Sequence, residues 1–472
     1  MSQRNLAWLI TVPALVVFAA VLAATAPPPE PHYKQVRTIV DVLADVEKNF
    51  YRELTPKEKQ QLVEDMINGG LQKLDPYSEY FNEERLKQFA ADNKGVFAGI
   101  GAYLGVDPKT GVLKVDSPMP DSPALEAGLQ ADDLILKIDG KETDGMRFEE
   151  ARTHIKGEPG TAVRLTILRP SAGSTFDVTV TRALIQTHPV KGFARRADDP
   201  TRWTYLADEA NKIAYIRLSE FSETAGREVK AALQEAEAAG AKALILDMRG
   251  NPGGLLRQSI EIGDLFLGGG YIVRTRDRHD TGRDEQAKAD GTVWESAERM
   301  PMAVLVNRAS ASAAEIVAAA LQDNGRAVIV GERTYGKGSV QKSFDSPDGK
   351  TALKLTTERW LTPNGKNIHR WPESKETDDW GVRPDAGLEV KMTPEQIVQT
   401  ILHQREAERI RPKGNGGAKP AADKPAPDKP ADPPKKPAKV DPDQPEPVKL
   451  DPNFKDPVME KALEYLRKKV AG

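Results

Sequence analysis

A serine and a lysine 25 residues apart are the side chains of this 472-residue chain best suited to nucleophilic catalysis. Ser312 precedes AAEIVAAALQD, a run that predicts a helix beginning at the serine, where unpaired N–H groups favour developing negative charge. Serine is also a preferred helix N-cap, so this local pattern alone favours a structural role. The presence of Lys337 favours a catalytic role for Ser312, because a neutral lysine amine can accept the proton of a serine without a histidine.

The composition gives other chemistries little support. The chain has no cysteine, which excludes a disulfide framework, a thiol nucleophile and a cysteine-ligated metal cluster. It contains neither G-x-S-x-G nor H-E-x-x-H, and its histidines are scattered without ligand spacing: His32, His154, His188, His279, His369 and His403. A net charge of -3 argues against nucleic acid as a partner. We therefore expect no metal and no cofactor.

The glycine-rich run GERTYGKGS at 331–339 leaves a nucleotide-binding alternative to be weighed. It nearly matches a phosphate-binding loop, but Gly338 stands where the loop needs a hydroxyl for magnesium. The following SVQKSF alternates like a strand and does not predict the helix whose N-terminus would hold phosphate. Both departures disfavour nucleotide binding.

Hydrophobic periodicity divides the middle of the chain into three regions. Residues 33–93 predict helices, residues 95–184 predict short strands with one helix near 148–155, and residues 185–411 predict strands alternating with helices. This alternation indicates a largely parallel sheet covered by helices. The predicted fold class is therefore multidomain α/β, with a helical N-terminal region, a small β module and an α/β core.

The two ends have biased compositions. Residues 1–29 contain LAWLITVPALVVFAAVLAA and predict either a cleavable signal peptide or an uncleaved membrane anchor. Both place the remainder outside the cytoplasm, in the periplasm or cell envelope. Residues 412–447 hold 11 of the 35 prolines and predict a disordered linker. An amphipathic helix within 448–472 is expected to dock on the body of the protein.

Residues 95–184 resemble a PDZ domain, a β-sandwich or barrel-like module. The run DSPALEAGLQADDLILKIDGKE matches the helix, turn and strand succession of that family. The segment before it resembles the carboxylate-binding loop, whose residues here are Phe97, Ala98, Gly99, Ile100 and Gly101. Glycines let consecutive N–H groups face one concavity, which suits a peptide carboxylate. The resemblance implies protein or peptide partners with free C-termini.

The segment NRASASAAEIVAAALQDNGRAVIVGERTYGKGSVQ resembles the signature of the C-terminal processing peptidases, also called tail-specific proteases. LDPYSEYF, ILDMRGNPGG and GVRPD extend this resemblance over roughly residues 35–410. It implies an endopeptidase in which Ser312 is the nucleophile, Lys337 is the general base and Gln341 orients the base. Members often carry a second serine where this chain has Ala314, which leaves the nucleophile untouched.

The spacing gives these roles a physical form. If residues 337–343 form a strand, then Lys337, Ser339 and Gln341 face one side, and the Gln341 carbonyl can accept a hydrogen bond from the amine. A lysine base must be neutral near pH 7. Its pKa must then lie about 3 below the ordinary value of about 10.4, a difference of about 4 kcal/mol that burial can supply.

An oxyanion hole needs two backbone N–H groups aimed at the developing charge. Ala313, directly after the nucleophile, is one expected donor. The other expected donor lies in the turn NPGG, which follows the predicted strand ALILDMRG. The resemblance to the C-terminal processing peptidases implies a glycine donor at this turn. Both Gly253 and Gly254 remain candidates, and we prefer Gly254.

Together these patterns predict an exported serine endopeptidase that captures the C-terminal end of a protein in its PDZ domain and cleaves it through an acyl-enzyme. We expect peptide occupancy of the PDZ domain to favour a cleavage-competent arrangement. The alternative is a non-catalytic PDZ adaptor or chaperone-like scaffold, which would not need Ser312, Lys337 and Gln341 together. Membrane anchoring through the N-terminal segment and a homo-oligomer are both compatible with the sequence, which specifies neither the substrate nor the assembly.

Overall fold

The computed structural model describes residues 30–108, 110–288, 300–411 and 448–471. The signal peptide or anchor predicted at 1–29 and the linker predicted at 412–447 lie outside the described residues. Among the helices that are described, none is both long and apolar enough to cross a bilayer. The chain divides into two compact units at the peptide bond between Pro76 and Tyr77.

The first unit contains two helices, α1 (Glu30–Asn49) and α2 (Pro56–Leu71). A capping box begins α2: the N–H of Glu58 donates to the Thr55 hydroxyl at 3.3 Å, and the Thr55 N–H donates back to the Glu58 carboxylate at 2.8 Å. Proline at the first helical position leaves no N–H unpaired there. The helical N-terminal region predicted from periodicity is confirmed in this unit.

Residues 79–94 open the second unit and depart from an all-helical region. Glu79–Phe81 form strand β1, and Glu83–Lys94 form helix α3. β1 pairs antiparallel with a strand more than 270 residues later, and Phe81 becomes fully buried. Tyr80 and Phe81 are aromatic residues, which favour the pleated, half-buried surface of a strand. The pairing with the distant strand determines their conformation, although the surrounding residues predict a helix.

The region that resembles a PDZ domain contains β2 (Val96–Gly99), β3 (Ala102–Val106), β4 (Leu113–Pro118), α4 (Pro123–Glu126), β5 (Leu134–Ile138), β6 (Lys141–Glu142), α5 (Phe148–Ile155), β7 (Ala162–Arg169), β8 (Ser174–Thr181) and β9 (Ala183–Gln186). Six of its strands form an antiparallel sheet in the order β3-β4-β5-β7-β8, with β6 paired to β5. The helix predicted near 148–155 is confirmed. β3 lies at an edge of this sheet, where an extended peptide can add a strand.

The α/β core follows; it begins with five consecutive strands, and the predicted alternation of strands with helices starts at Ile213–Leu218. Its elements are β10 (Val190–Lys191), β11 (Ala194–Arg195), β12 (Trp203–Thr204), β13 (Leu206–Asp208), β14 (Ile213–Leu218), α6 (Ala225–Ala238), β15 (Ala243–Asp247), α7 (Leu256–Asp264), β16 (Tyr271–Asp277), β17 (Asp284–Gln286), β18 (Met302–Val306), α8 (Ala313–Asp323), β19 (Val328–Gly331), β20 (Ser339–Asp345), β21 (Ala352–Leu361), α9 (Pro394–Glu408) and α10 (Pro457–Ala471).

The central sheet of the core is parallel where the sequence predicts it. Strands β14, β15, β18 and β19 are parallel neighbours, while β10 and β13 pair antiparallel with β14. Every residue of β15 and β18 is buried, as two covered faces require. Helices α6, α7 and α8 pack on one face, and α10 packs on the other through Val458, Ala462, Leu463 and Leu466.

A second, antiparallel sheet is the part of the core that periodicity did not predict. Its strands run in the order β1-β21-β16-β17, and β20 also pairs with β21. Strand β20 begins two residues after Lys337, so this sheet carries the segment that bears the proposed base. Its strands come from distant parts of the sequence, and short-range patterns do not reveal such pairings.

Candidate active site

Ser312 lies at the N-terminus of α8, where the sequence predicts it. Its backbone has φ +56° and ψ -115°, a conformation that L-residues rarely adopt and that costs about 1–3 kcal/mol. The side chain is half-buried, while the helix that follows is buried from Ala313 to Leu321. The strained turn therefore sets a hydroxyl at the accessible, positive end of an otherwise buried helix.

Glu315 joins the serine to the lysine through hydrogen bonds to their backbones. Its Oε2 accepts the N–H of Ser312 and the N–H of Lys337, each at 2.8 Å, so the two amide nitrogens are no more than twice that distance apart. Its Oε1 accepts the Thr334 hydroxyl at 2.5 Å and the Gly336 N–H at 2.6 Å. The structure thus brings together the backbones of Ser312 and Lys337, the two residues predicted to act as a pair.

The Glu315 carboxyl is fully buried. Burial raises its pKa above the usual value, and the hydrogen bonds from Thr334, Lys337, Gly336 and Ser312 offset part of that rise. Sequence analysis did not assign Glu315 a role. The sequence does contain one indication of such a role: Glu315 is the charged residue within the apolar run AAEIVAAAL. A carboxylate buried in such a helix requires hydrogen-bond partners.

Lys337 lies in the loop before β20 and is half-buried. Its Nζ is 4.5 Å from the centroid of the Tyr77 ring, within the range of a cation–π contact. Tyr77 belongs to the LDPYSEYF segment, but nothing in the local spacing indicated that it reaches this lysine. It is a second site residue that sequence reasoning missed.

The expected strand through Lys337 is wrong in extent. Strand β20 begins at Ser339, and a bulge between Val340 and Gln341 shifts its register against β21. The Gln341 amide donates to the hydroxyls of Ser339 and Thr356, both at 3.0 Å. Its hydrogen bonds in this structure therefore lie within the sheet and do not reach Lys337.

The NPGG turn lies against the nucleophile. A Cβ added to Gly253 would come within 2.7 Å of Ser312 Cβ and 3.0 Å of Ala313 N. The Gly253 N–H is already donated to Asn251 Oδ1 at 2.8 Å. Gly254 is exposed, and neither its N–H nor that of Ala313 has a hydrogen-bond partner among the residues that the structure describes. Both N–H groups are available to a ligand.

The predicted carboxylate-binding loop runs from β2 toward β3. Phe97 and Gly99 pair with β9, while the Ile100 side chain is buried in the PDZ core. Gly101 has φ +75°, and a Cβ there would approach Ser122 Cβ to 2.4 Å. The carbonyls of Ile100 and Gly101 accept the N–H groups of Ala124 and Met119, which connects this loop to the segment that follows β4.

The acidic and histidine side chains of the described residues are the ones that bear on a metal site. Within the described ranges, no three His, Asp or Glu side chains cluster as ligands of a metal ion would. Among the scattered histidines that the structure describes, His369 touches the segment that carries Lys337, through a hydrogen bond from the Gly338 N–H to its Nδ1 at 3.2 Å.

Comparison with known proteins matches two family models to this chain. The model of peptidase family S41 matches residues 212–388, and that of the PDZ domain matches residues 114–169. A carboxy-terminal-processing protease of Bartonella bacilliformis is 37% identical over 341 residues, which cover 71% of this chain and 73% of that protein. A carboxyl-terminal-processing protease of Picosynechococcus is 39% identical over 298 residues, covering 63% and 67%. The solved structure titled photosystem II D1 C-terminal processing protease is 26% identical, covers 74% of this chain and 86% of its own, and has a TM-score of 0.41.

Proposed function

This chain belongs to the carboxy-terminal processing proteases of peptidase family S41 and is a serine peptidase with a PDZ domain, and we propose that it cleaves through Ser312 and Lys337. The observation that supports this proposal is the contact made by Glu315: one oxygen of its carboxylate, Oε2, accepts the N–H groups of both residues at 2.8 Å. A buried carboxylate with four donors fixes the nucleophile turn and the base loop as one unit.

In the proposed reaction, Ser312 Oγ attacks the scissile carbonyl carbon while its proton passes to neutral Lys337 Nζ. The N–H groups of Ala313 and Gly254 stabilise the oxyanion. Collapse breaks the C–N bond, the leaving amine takes the proton from Lys337, and an ester on Ser312 remains. Water, deprotonated by the same lysine, hydrolyses the ester and restores the serine.

Two further roles are proposed for the residues beside this pair. Gly254 is favoured over Gly253 as the oxyanion donor because the Gly253 N–H is committed to Asn251. Gln341 donates to Ser339 and Thr356 through its amide nitrogen, which leaves its carbonyl oxygen to accept from the Lys337 amine once substrate draws that amine off Tyr77.

Protein substrates are proposed to bind by their free C-terminal end, with the carboxylate on the 97–101 loop and the peptide along the edge of β3. The test compares cleavage of one unfolded polypeptide with a free and with an amidated C-terminus. We expect faster cleavage of the free form, and loss of that preference in Gly101→Ala, whose Cβ would collide with Ser122.

Gly111→Ala is the matched control, because Gly111 also has positive φ in the PDZ domain but faces open space. Equal cleavage of the free and amidated forms by the wild-type enzyme would contradict C-terminal recognition.

Export is proposed from the apolar segment at 1–29, as a signal peptide or an anchor, with the enzyme acting in the periplasm or cell envelope. The mass of the mature N-terminus separates the two: cleavage after the Ala24-Thr25-Ala26 motif indicates a signal peptide. An intact, membrane-associated chain indicates an anchor, and an intact chain in the cytoplasm would contradict export.

A further inference from the structure

The backbone that carries the proposed base is hydrogen-bonded at every polar group. In residues 336–338, the first two N–H groups bond to Glu315, and the three carbonyls accept from Arg370 N–H at 2.8 Å, Trp360 Nε1 at 2.8 Å and Trp360 N–H at 2.9 Å. The remaining N–H, that of Gly338, donates to His369 Nδ1 at 3.2 Å. A histidine ring therefore supplies the last contact that fixes this turn.

The direction of this hydrogen bond defines the state of the ring. An amide nitrogen can only donate, so His369 Nδ1 must be the acceptor, and the imidazole is neutral with its proton on Nε2. A protonated ring would present a second N–H to the Gly338 N–H. The contact thus needs an acceptor at the Nδ1 position and not merely a ring of the right size.

The surroundings hold the imidazole in this position. A Cβ on Gly338 would lie 2.6 Å from Asn367 Oδ1 and 2.8 Å from His369 N, so the turn packs directly on the histidine segment. The His369 N–H donates to Asn367 Oδ1 at 2.9 Å. The Trp371 ring meets the imidazole edge-on, with centroids 4.4 Å apart. Backbone and ring are both oriented toward the Gly338 N–H.

We propose that His369 is a positioning residue for the general base, accepting the Gly338 N–H so that Lys337 is held toward Ser312. The inference rests on the proposed role of Lys337. In this role His369 acts through the Gly338 peptide, which follows the base. Small displacements of a catalytic group cost about 100-fold in rate, so losing this contact should reduce kcat rather than substrate binding.

Side-chain geometry offers a direct test, because asparagine places an acceptor oxygen near the position of Nδ1 and phenylalanine offers a ring with no acceptor. For cleavage of an unfolded polypeptide, we expect His369→Phe to lower kcat about 100-fold with little change in KM. His369→Asn should remain within about threefold of the wild type. His279→Phe, on an exposed loop, is the matched control and should leave kcat unchanged.

Circular dichroism and thermal unfolding show which variants are folded; if His369→Phe does not fold, His369→Leu takes its place. Wild-type kcat in the folded Phe or Leu variant, or equal impairment of the Asn variant, would overturn the proposal. Lys337→Ala is assayed in parallel: if it retains activity, the base assignment itself fails, whereas an inactive Lys337→Ala beside a fully active His369→Phe removes only the role of the histidine.

Discussion

At the scale of single residues, a buried carboxylate connects the backbones of the two residues proposed to react. Glu315 uses both oxygens to accept four donors from Ser312, Thr334, Gly336 and Lys337. Replacing one oxygen by an NH2 group would set donor against donor at two of these contacts. The carboxylate thus determines where the backbones of the nucleophile and the base lie.

We expect Glu315→Gln to lower kcat about 100-fold, because the turn at Ser312 and the loop at Lys337 would no longer share an acceptor. Steady-state kinetics on an unfolded substrate checks this. Glu332→Gln is the control, since Glu332 is on the same loop but contributes no carboxylate contact to the described site. Wild-type kcat in the Glu315→Gln variant would refute the positioning role of the carboxylate.

The pH dependence of stability follows from the raised pKa of Glu315. In the unfolded chain this carboxyl ionises near its ordinary pKa of about 4.3. Its contribution to the free energy of unfolding is fully present below that pH and is lost as the pH rises through the higher folded pKa. Thermal unfolding of the wild type and Glu315→Gln from pH 4 to 8 should show the wild type losing stability relative to the variant. A constant difference would contradict the raised pKa.

At the scale of elements, the proposed active site lies where three chain segments meet: the turn after β15, the start of α8 and the loop before β20. The turn after β15 approaches the nucleophile most closely, since a Cβ on Gly253 would lie 2.7 Å from Ser312 Cβ. Gly250, three residues earlier, also has positive φ but faces open space. Alanine substitutions at the two glycines therefore distinguish the effect of backbone strain from the effect of a clash with Ser312.

We expect Gly253→Ala to lower kcat by about 100-fold or more, because the added methyl group displaces the oxyanion turn from Ser312. Gly250→Ala should keep kcat while losing about 1 kcal/mol of stability to left-handed strain. Kinetics and thermal unfolding of both variants check this. Equal kcat in the two variants would show that the turn does not support the oxyanion.

Helix α10 is attached to the end of β15 by charge as well as by apolar packing. Asp456 lies 2.7 Å from Arg249 Nη1 and also accepts the N–H groups of Val458 and Met459 at the start of the helix. Arg249 is only 6% exposed and pairs with Asp247 behind it. The contact links the C-terminal helix to the strand that leads into the oxyanion turn.

We expect Asp456→Asn to reduce the free energy of unfolding by about 1–3 kcal/mol, because a charged partner of buried Arg249 is lost while the helix cap is kept. Glu464→Gln, which breaks an exposed pair with Lys468, should cost less than about 0.5 kcal/mol. Urea denaturation measures both. Similar small losses would indicate that Asp456 acts only as a cap.

At the scale of the whole molecule, one segment at the end of α9 connects the catalytic sheet to the PDZ domain. Glu408 pairs with Lys191 and Arg217 of the core, and the next residue, Arg409, donates to Asp116 O at 3.0 Å and lies 2.7 Å from Asp132. Strand β3, the proposed peptide site, is paired with β4, the strand that carries Asp116. We propose that this segment transmits peptide occupancy of the PDZ domain to the core and so favours the cleavage-competent arrangement.

How far the sequence predicts this molecule depends on the range of the interactions involved. The start of α8 at Ser312 and the parallel strands β14, β15, β18 and β19 follow from local periodicity, and the structure has them. The loop at Lys337 does not follow, because its conformation is set by Glu315, Trp360 and His369, which are far from it in the chain. The alternating pattern of residues 337–343 predicts a strand there, whereas the strand of the structure begins only at Ser339.

Two other differences have the same origin. The aromatic residues of β1 were assigned to a helical region because their strand partner lies more than 270 residues later. The choice between Gly253 and Gly254 could not be made from spacing, since it depends on whether the Asn251 side chain occupies one of the two N–H groups. Residue types indicated the chemistry, and tertiary contacts determined which atoms are available for it.

If Ser312 and Lys337 together perform the cleavage, then each is required for turnover of an unfolded protein with a free C-terminus. Wild type, Ser312→Ala, Lys337→Ala and the control Lys342→Ala, an exposed lysine on the neighbouring strand, are compared at equal folded concentration. We predict a loss of about 1,000-fold or more in kcat for each of the first two variants and wild-type kcat for Lys342→Ala. Wild-type turnover in either Ser312→Ala or Lys337→Ala would contradict the account.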